Sequence, residues 1–159
     1  MDALDYRILG MLSDDARRPF AELARELGVS QPTVAERVRR MEERGVILGS
    51  SLRLDYGKLG FPITALVRIV LNTRDQYRLE DIARGQPQVV EMHRLTGEDS
   101  LIARVVARSV EDLAAVIETL CQFGQSNTSL VVSTPIPVRS PIDALMPRKT
   151  KATTPAKPT

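Results

Sequence analysis

The most constraining stretch of this chain runs from Phe20 to Ile47, where two helix-period patterns meet at one glycine. Phe20, Leu23, Ala24 and Leu27 recur at the spacing of one inward face, in a short helix expected from about Pro19 to Leu27. Proline is tolerated in that first turn. Gly28 supplies the left-handed residue that ends many helices, and Ser30 is placed to cap the next. Val34, Val38 and Met41 then fall at i, i+4 and i+7, and Gly45 closes the second helix. Two short helices around a glycine turn must cross closely, which requires small residues at the contact, and Ala24, Gly28 and Val34 provide them. An earlier helix precedes the pair, capped by Asp2 and carrying Leu4, Ile8, Leu9 and Leu12.

The surface of the second helix of the pair is divided along its length. Its first turn holds short polar groups (Ser30, Gln31, Pro32, Thr33), and its later turns hold Glu36, Arg37, Arg39 and Arg40. A recognition helix has this division: early residues meet base edges and later arginines reach phosphates. Gln31 has the chemistry to pair with adenine, and Arg37 with guanine. The competing reading is an ordinary solvated helix, because Glu36–Arg40 and Arg39–Glu43 are i,i+4 pairs worth about 0.3–0.5 kcal/mol each. The preceding helix, the glycine turn and a following extended segment favour DNA.

After Gly45 the period changes. Val46 to Leu54 reads as a small hairpin or wing, which sets a winged helix-turn-helix at 1–55 and a hinge at 56–60. Residues 61–139 read as a strand at Ile63–Leu71, a helix at Arg78–Gly85 and strands at Val89–Leu95 and Leu101–Ala107. An amphipathic helix started by Ser109 and ended by Gly124 follows, and then a last strand at Leu130–Val138. That βαββαβ order implies a ferredoxin-like sandwich with two helices on one face of the sheet, giving an α+β chain. Apolar residues on both sides of ITALVRIVL and SLVVSTPIPV imply that a second copy buries the other face. Residues 140–159 are rich in Pro, Lys and Thr, and from about Arg148 the composition reads as disordered.

Composition removes several alternatives. The net charge of +2 conceals a balance of ten basic against ten acidic residues in 1–60, seven against nine in 61–138, and five against one in 139–159. Clustering, not net charge, must therefore make any nucleic-acid surface. Cys121 is the single cysteine, so no internal disulfide forms, and the absence of a basic N-region or a long apolar run points to a reducing cytoplasm and no membrane partner. His93 stands without ligand-spaced Cys, His or acidic neighbours, so neither a metal nor a cofactor is expected. No catalytic constellation is found, and an enzyme on a ferredoxin-like dimer is disfavoured.

From about Leu4 to Arg139 the chain resembles the Lrp/AsnC (feast/famine) family of transcription regulators. LDYRILGMLSDDARRPFAELARELGVSQPTVAERVRRMEERGVILG is similar to the family's N-terminal pattern, and PQVVEMHRLTGEDSLIARVVA and FGQSNTSLVVSTPIPVR to its ligand-sensing (RAM) domain. The resemblance implies a homodimer, with tetramer or octamer as larger forms, that binds paired half-sites on double-stranded DNA under the control of an amino-acid-like effector. It places the effector loop at Thr96, Gly97, Glu98, Asp99 and Ser100, one residue shorter than in many members. The expected function is a sequence-specific transcription regulator whose oligomeric geometry answers to a small molecule. The alternative is an architectural DNA-binding protein of low specificity without an effector.

Overall fold

The computed structural model describes residues 1–71 and 76–145, which divide into two compact units, residues 1–52 with the segment from 136 onward, and residues 53–135. The earlier expectation of disorder from Arg148 lies outside the described residues.

The first unit is helical: α1 (Ala3–Asp14), α2 (Phe20–Leu27), α3 (Gln31–Glu43) and, after the sheet domain, the short α6 (Ile142–Leu145). Asp2 caps α1 reciprocally with Asp5, each side chain accepting from the other's backbone amide. Pro19 opens α2 without a side-chain cap, and Gly28 closes it at φ +69, a conformation that costs glycine nothing. Ser30 caps α3 by accepting from the amide of Thr33. The stripes meet as their periodicity requires, with Ile8, Leu23 and Val34 fully buried and Leu9, Ala24, Leu27, Val38 and Met41 around them.

Of the small hairpin or extended wing expected at Val46–Leu54, the hairpin does not form. No strand occurs there, and Leu48 and Leu52 are 94% and 77% exposed. A two-stranded hairpin is marginal without a third strand, and the amides of Val46 and Ile47 donate instead to the Met41 carbonyl at the end of α3.

The second unit contains β1 (Ile63–Leu71), α4 (Gln76–Arg84), β2 (Val89–Arg94), β3 (Leu101–Ala107), α5 (Val110–Leu120) and β4 (Gly124–Leu130), with sheet order β2-β3-β1-β4 and every pairing antiparallel. Alternation along β1 and β3 sends Ala65, Val67, Ile69, Leu101, Ala103 and Val105 to one side, where Leu79 and Ala83 of α4 and Leu113, Val116 and Leu120 of α5 cover them.

Two expectations change here. The last strand is Gly124–Leu130, not Leu130–Val138, and Gly124 opens it rather than ending α5, which passes through a 3-10 turn at Cys121–Phe123. The polar GQSNTSL occupies an edge and pairs only with β1, so backbone hydrogen bonding decides its place, not side-chain burial. A Cβ on Gly124 would stand 2.1 Å from the Val70 carbonyl oxygen, so only glycine fits where the strands converge.

The sheet's other face is also less apolar than expected. Leu66, Val70 and Ile102 share it with Arg68, which bonds Asn127, and with Glu91, which joins Arg104 to His93 across β2 and β3.

Candidate nucleic-acid interface and effector turn

The candidate DNA surface lies on α3. The Ser30 hydroxyl is engaged at the helix start, with its oxygen 2.8 Å from Thr33 Oγ1, which fixes both short side chains in the first turn. Gln31 and Pro32 are exposed beside them, and Thr33 is half-buried. The amides of a helix's first turn carry partial positive charge, so this end is suited to meet a phosphate or a base-edge acceptor.

The arginines differ in what they touch. Arg39 is held by Glu36 at 2.8 Å and by Glu43, which makes the solvated ion-pair network that one reading of the sequence expected, although Glu36 chooses Arg39 over Arg40. Arg40 is exposed and has no carboxylate within ion-pair distance among the described residues.

Arg37 reaches back to α1 instead, donating to Asp2 at 2.6 Å and to Asp5 at 2.7 Å. These bonds hold Asp2 below the usual carboxylate range, with the Arg37 guanidinium as the main cause and the Asp5 amide adding to it. Burial works to raise Asp5, but the Asp2 amide and the same guanidinium outweigh it and the net shift is downward. The guanidinium is correspondingly held above its ordinary value by its hydrogen bonds to Asp2 and Asp5. Sequence reasoning missed this clamp because its partners lie 35 and 32 residues away. The available signal was Asp5 itself, an acidic residue on α1 one turn before the core position Ile8.

The candidate effector turn follows β2. Leu95 donates its amide to the Ser100 carbonyl, and the Ser100 amide donates to Ile69. The Ser100 hydroxyl accepts from Leu71 at 3.1 Å, so Ser100 fastens the turn to β1. Gly97 takes φ +109, Thr96 and Glu98 are exposed, and Asp99 is half-buried. Neither acidic side chain is ion-paired among the described residues, which leaves both carboxylates open to a cation.

Immediately beside the turn, between α4 and β2, is a cleft of about 440 Å³ whose lining includes Glu80, Arg84, Glu91, Arg94 and Leu101. Arg94 pairs with Glu80 and lies 5.4 Å from the centre of the Tyr77 ring. The charged lining of this cleft was not foreseen, although Arg94 directly precedes the turn in sequence. Among the described residues no cluster of His, Cys, Asp or Glu could hold a metal ion, and no helix is long and apolar enough to cross a membrane.

Two family models match the chain. Residues 1–42 match the AsnC-type helix-turn-helix domain and residues 64–141 the Lrp/AsnC ligand binding domain. The uncharacterized HTH-type transcriptional regulator YezC of Bacillus subtilis is 37% identical over 133 residues, covering 84% of this chain and 94% of its own. The chain belongs to the Lrp/AsnC family of transcriptional regulators.

The regulatory protein AsnC of Haemophilus influenzae is 33% identical over 124 residues, covering 77% of this regulator and 83% of its own length. The solved structure of Escherichia coli AsnC superposes with TM-score 0.80 at 30% identity, over 89% of this chain and 98% of its own. A regulator from Neisseria meningitidis, solved in complex with L-Met, shares the fold at TM-score 0.84 and 20% identity, over 92% of this chain and 99% of its own. These relatives are named as regulators, as is the HTH-type transcriptional regulator LrpA of Pyrococcus horikoshii.

Proposed function

We propose that this regulator binds double-stranded DNA sequence-specifically in the cytoplasm, as a homodimer or a larger assembly whose geometry answers to an amino-acid-like effector. The observation that carries the DNA reading is the exposed start of α3, with Gln31 and Pro32 exposed, Ser30 and Thr33 fixed, and Arg40 exposed with no carboxylate at ion-pair distance among the described residues. Ser30, Gln31, Pro32 and Thr33 meet the bases or the nearest phosphate, and Arg40 reaches phosphate. Glu36 and Arg39 border this surface, tied together with Glu43 in one ion-paired group. Arg37 acts as a positioning residue that sets α3 against α1, in place of the guanine contact its chemistry suggested.

A second copy is supported within the sheet unit by Leu130, 59% exposed at the end of the edge strand, and Val132, 98% exposed just beyond it. The effector reading rests on Thr96, Gly97, Glu98, Asp99 and Ser100 together with the adjoining cleft. Glu98 and Asp99 suit an ammonium group, and the cleft's arginines, Arg84 and Arg94, are held by Asp81 and Glu80, so an effector carboxylate would have to compete with those partners. That another protein of this fold was solved with L-Met is consistent with an amino acid here.

The decisive experiment measures affinity for a duplex from upstream of the regulator's own gene against random competitor, with and without each amino acid, for wild type and Arg40→Ala. Preference for the upstream duplex, about a tenfold loss in Arg40→Ala and an altered affinity with one amino acid are expected. Equal affinity for random DNA, insensitive to every amino acid, would favour the architectural alternative.

A further inference from the structure

Thr33, Arg37, Arg40 and Arg44 follow one another at i, i+4, i+7 and i+11, so they form one line along α3, from its exposed first turn to its C-cap. The later part of that line faces the beginning of α1. There a pocket of about 320 Å³ has a lining that includes Asp2, Asp5, Arg37, Arg40, Met41 and Arg44.

The charges of this pocket are unequally engaged. Arg37 is held by both aspartates, at 2.6 and 2.7 Å, and forms a fixed wall. Arg40 and Arg44 are exposed, and neither has a carboxylate at ion-pair distance among the described residues. Three arginines against two aspartates give these lining residues a net charge of +1, and the two open guanidinium groups carry the surplus. The surroundings are otherwise unfavourable to an anion, since residues 1–52 hold eight arginines against nine carboxylates. Guanidinium forks match phosphate oxygens, so two of them converging on one concavity select a phosphate group.

From this arrangement we infer that the pocket between α1 and α3 is a site for a phosphate of the DNA backbone, held by Arg40 and Arg44 and weakened by the Asp2 carboxylate. The pocket lies on the line that starts at Thr33, so a strand met by the first turn of α3 continues along the same side of the helix to reach it. That continuity favours a backbone phosphate over a free phosphorylated molecule. Arg44 thereby joins the DNA surface, at a position the sequence did not assign to it. Asp2 is 57% exposed in the same lining, so it repels the phosphate while it holds Arg37. The acid that sets α3 against α1 thus also moderates affinity. Phosphate contacts carry no sequence information, so the pocket adds binding strength and leaves the choice of site to the first turn of α3.

This inference rests on the DNA-binding reading above, and the test separates the two. The full chain and its variants Arg44→Gln, Arg44→Lys and Asp2→Asn are titrated against the upstream duplex and a random-sequence duplex over a range of salt. Arg44→Gln should bind both duplexes severalfold more weakly, by the same factor, and its slope of log affinity against log salt should be shallower by about 0.9 per chain. Arg44→Lys should keep the wild-type slope. Asp2→Asn should bind both duplexes more tightly, because asparagine caps a helix as well as aspartate does and Asp5 still holds Arg37. Damage to the fold would weaken binding in every variant, so the opposite signs of Asp2→Asn and Arg44→Gln exclude it. An unchanged slope in Arg44→Gln overturns the pocket, as does weaker binding by Asp2→Asn at an unchanged melting midpoint. Weakening of the upstream duplex alone would make Arg44 a base contact and overturn its assignment to phosphate. Inorganic phosphate that raises the melting midpoint of wild type but not of Arg44→Gln, with DNA affinity equal in both, would overturn the strand contact in favour of a free phosphorylated ligand. Wild-type protein that binds both duplexes equally, with Arg44→Gln still flattening the slope, would sink sequence-specific regulation and leave the pocket standing.

Discussion

The two units of this regulator use ion pairs differently. In the helical unit, Arg37 of α3 joins Asp2 and Asp5 at the start of α1, so the pair crosslinks segments more than thirty residues apart. In the sheet unit, Glu91 joins Arg104 and His93 across strands that the backbone ladder already holds in register. The first arrangement decides where an element sits, and the second decorates a surface whose geometry is set. Equal chemistry therefore carries unequal weight, and substitution can measure the difference.

The strongest perturbation tests whether the units are energetically separate at all. Leu23 is fully buried between α2 and its neighbours, so Leu23→Ala should cost about 2–5 kcal/mol through lost burial and the cavity left behind. Because the sheet unit has its own core, calorimetry should show one transition moving to lower temperature and the other staying in place. A joint shift of both transitions would break the comparison at its base.

Next in size is the clamp. Arg37→Ala should destabilise the helical unit by about 1 kcal/mol, as a partly buried pair is removed whose Asp5 side chain is only 14% exposed. The pH dependence follows from the depressed carboxylates. A folded-state pKa below the ordinary 3.8 of aspartate gives stability that is complete above that value and is lost as pH falls through the lower folded value. The wild-type melting midpoint should therefore fall more steeply than that of Arg37→Ala below pH 3.8, and the two curves should converge in acid. Parallel curves would show that the clamp contributes nothing.

What the sequence made legible follows the same division. The helices α1, α2 and α3, the caps at Asp2 and Ser30, and the stripe Val34–Val38–Met41 were readable because each depends on neighbours within one or two turns, whereas α6 falls in a stretch that read only as a Pro- and Lys-rich tail. β1 and β3 were readable from their apolar runs. β4 was not, because GQSNTSL is placed by backbone bonds to a strand more than fifty residues earlier, while the apolar run beyond it stays exposed. Of the candidate site, the chain positions of Ser30–Thr33 and of the turn Thr96–Ser100 were visible in the sequence. The partners of Arg37 and the anchoring of Ser100 to β1 were hidden, since both are contacts between distant segments.

The smallest expected effect completes the contrast. Glu91 is held below its ordinary value chiefly by the His93 hydrogen bond and then by Arg104, yet it lies on an accessible sheet face. Glu91→Gln keeps the shape and part of the hydrogen bonding, so it should change the stability of the sheet unit by no more than about 0.5 kcal/mol. Burial of this face by a second copy would alter that expectation, because an ion pair removed from water leaves Arg104 uncompensated when its partner is neutralised. Sedimentation of Glu91→Gln alongside its melting curve therefore distinguishes two roles for the same residue. A small stability change with an unaltered assembly marks a solvated decoration, while a dimer that dissociates places Glu91 in the interface and removes the distinction between the two units' ion pairs.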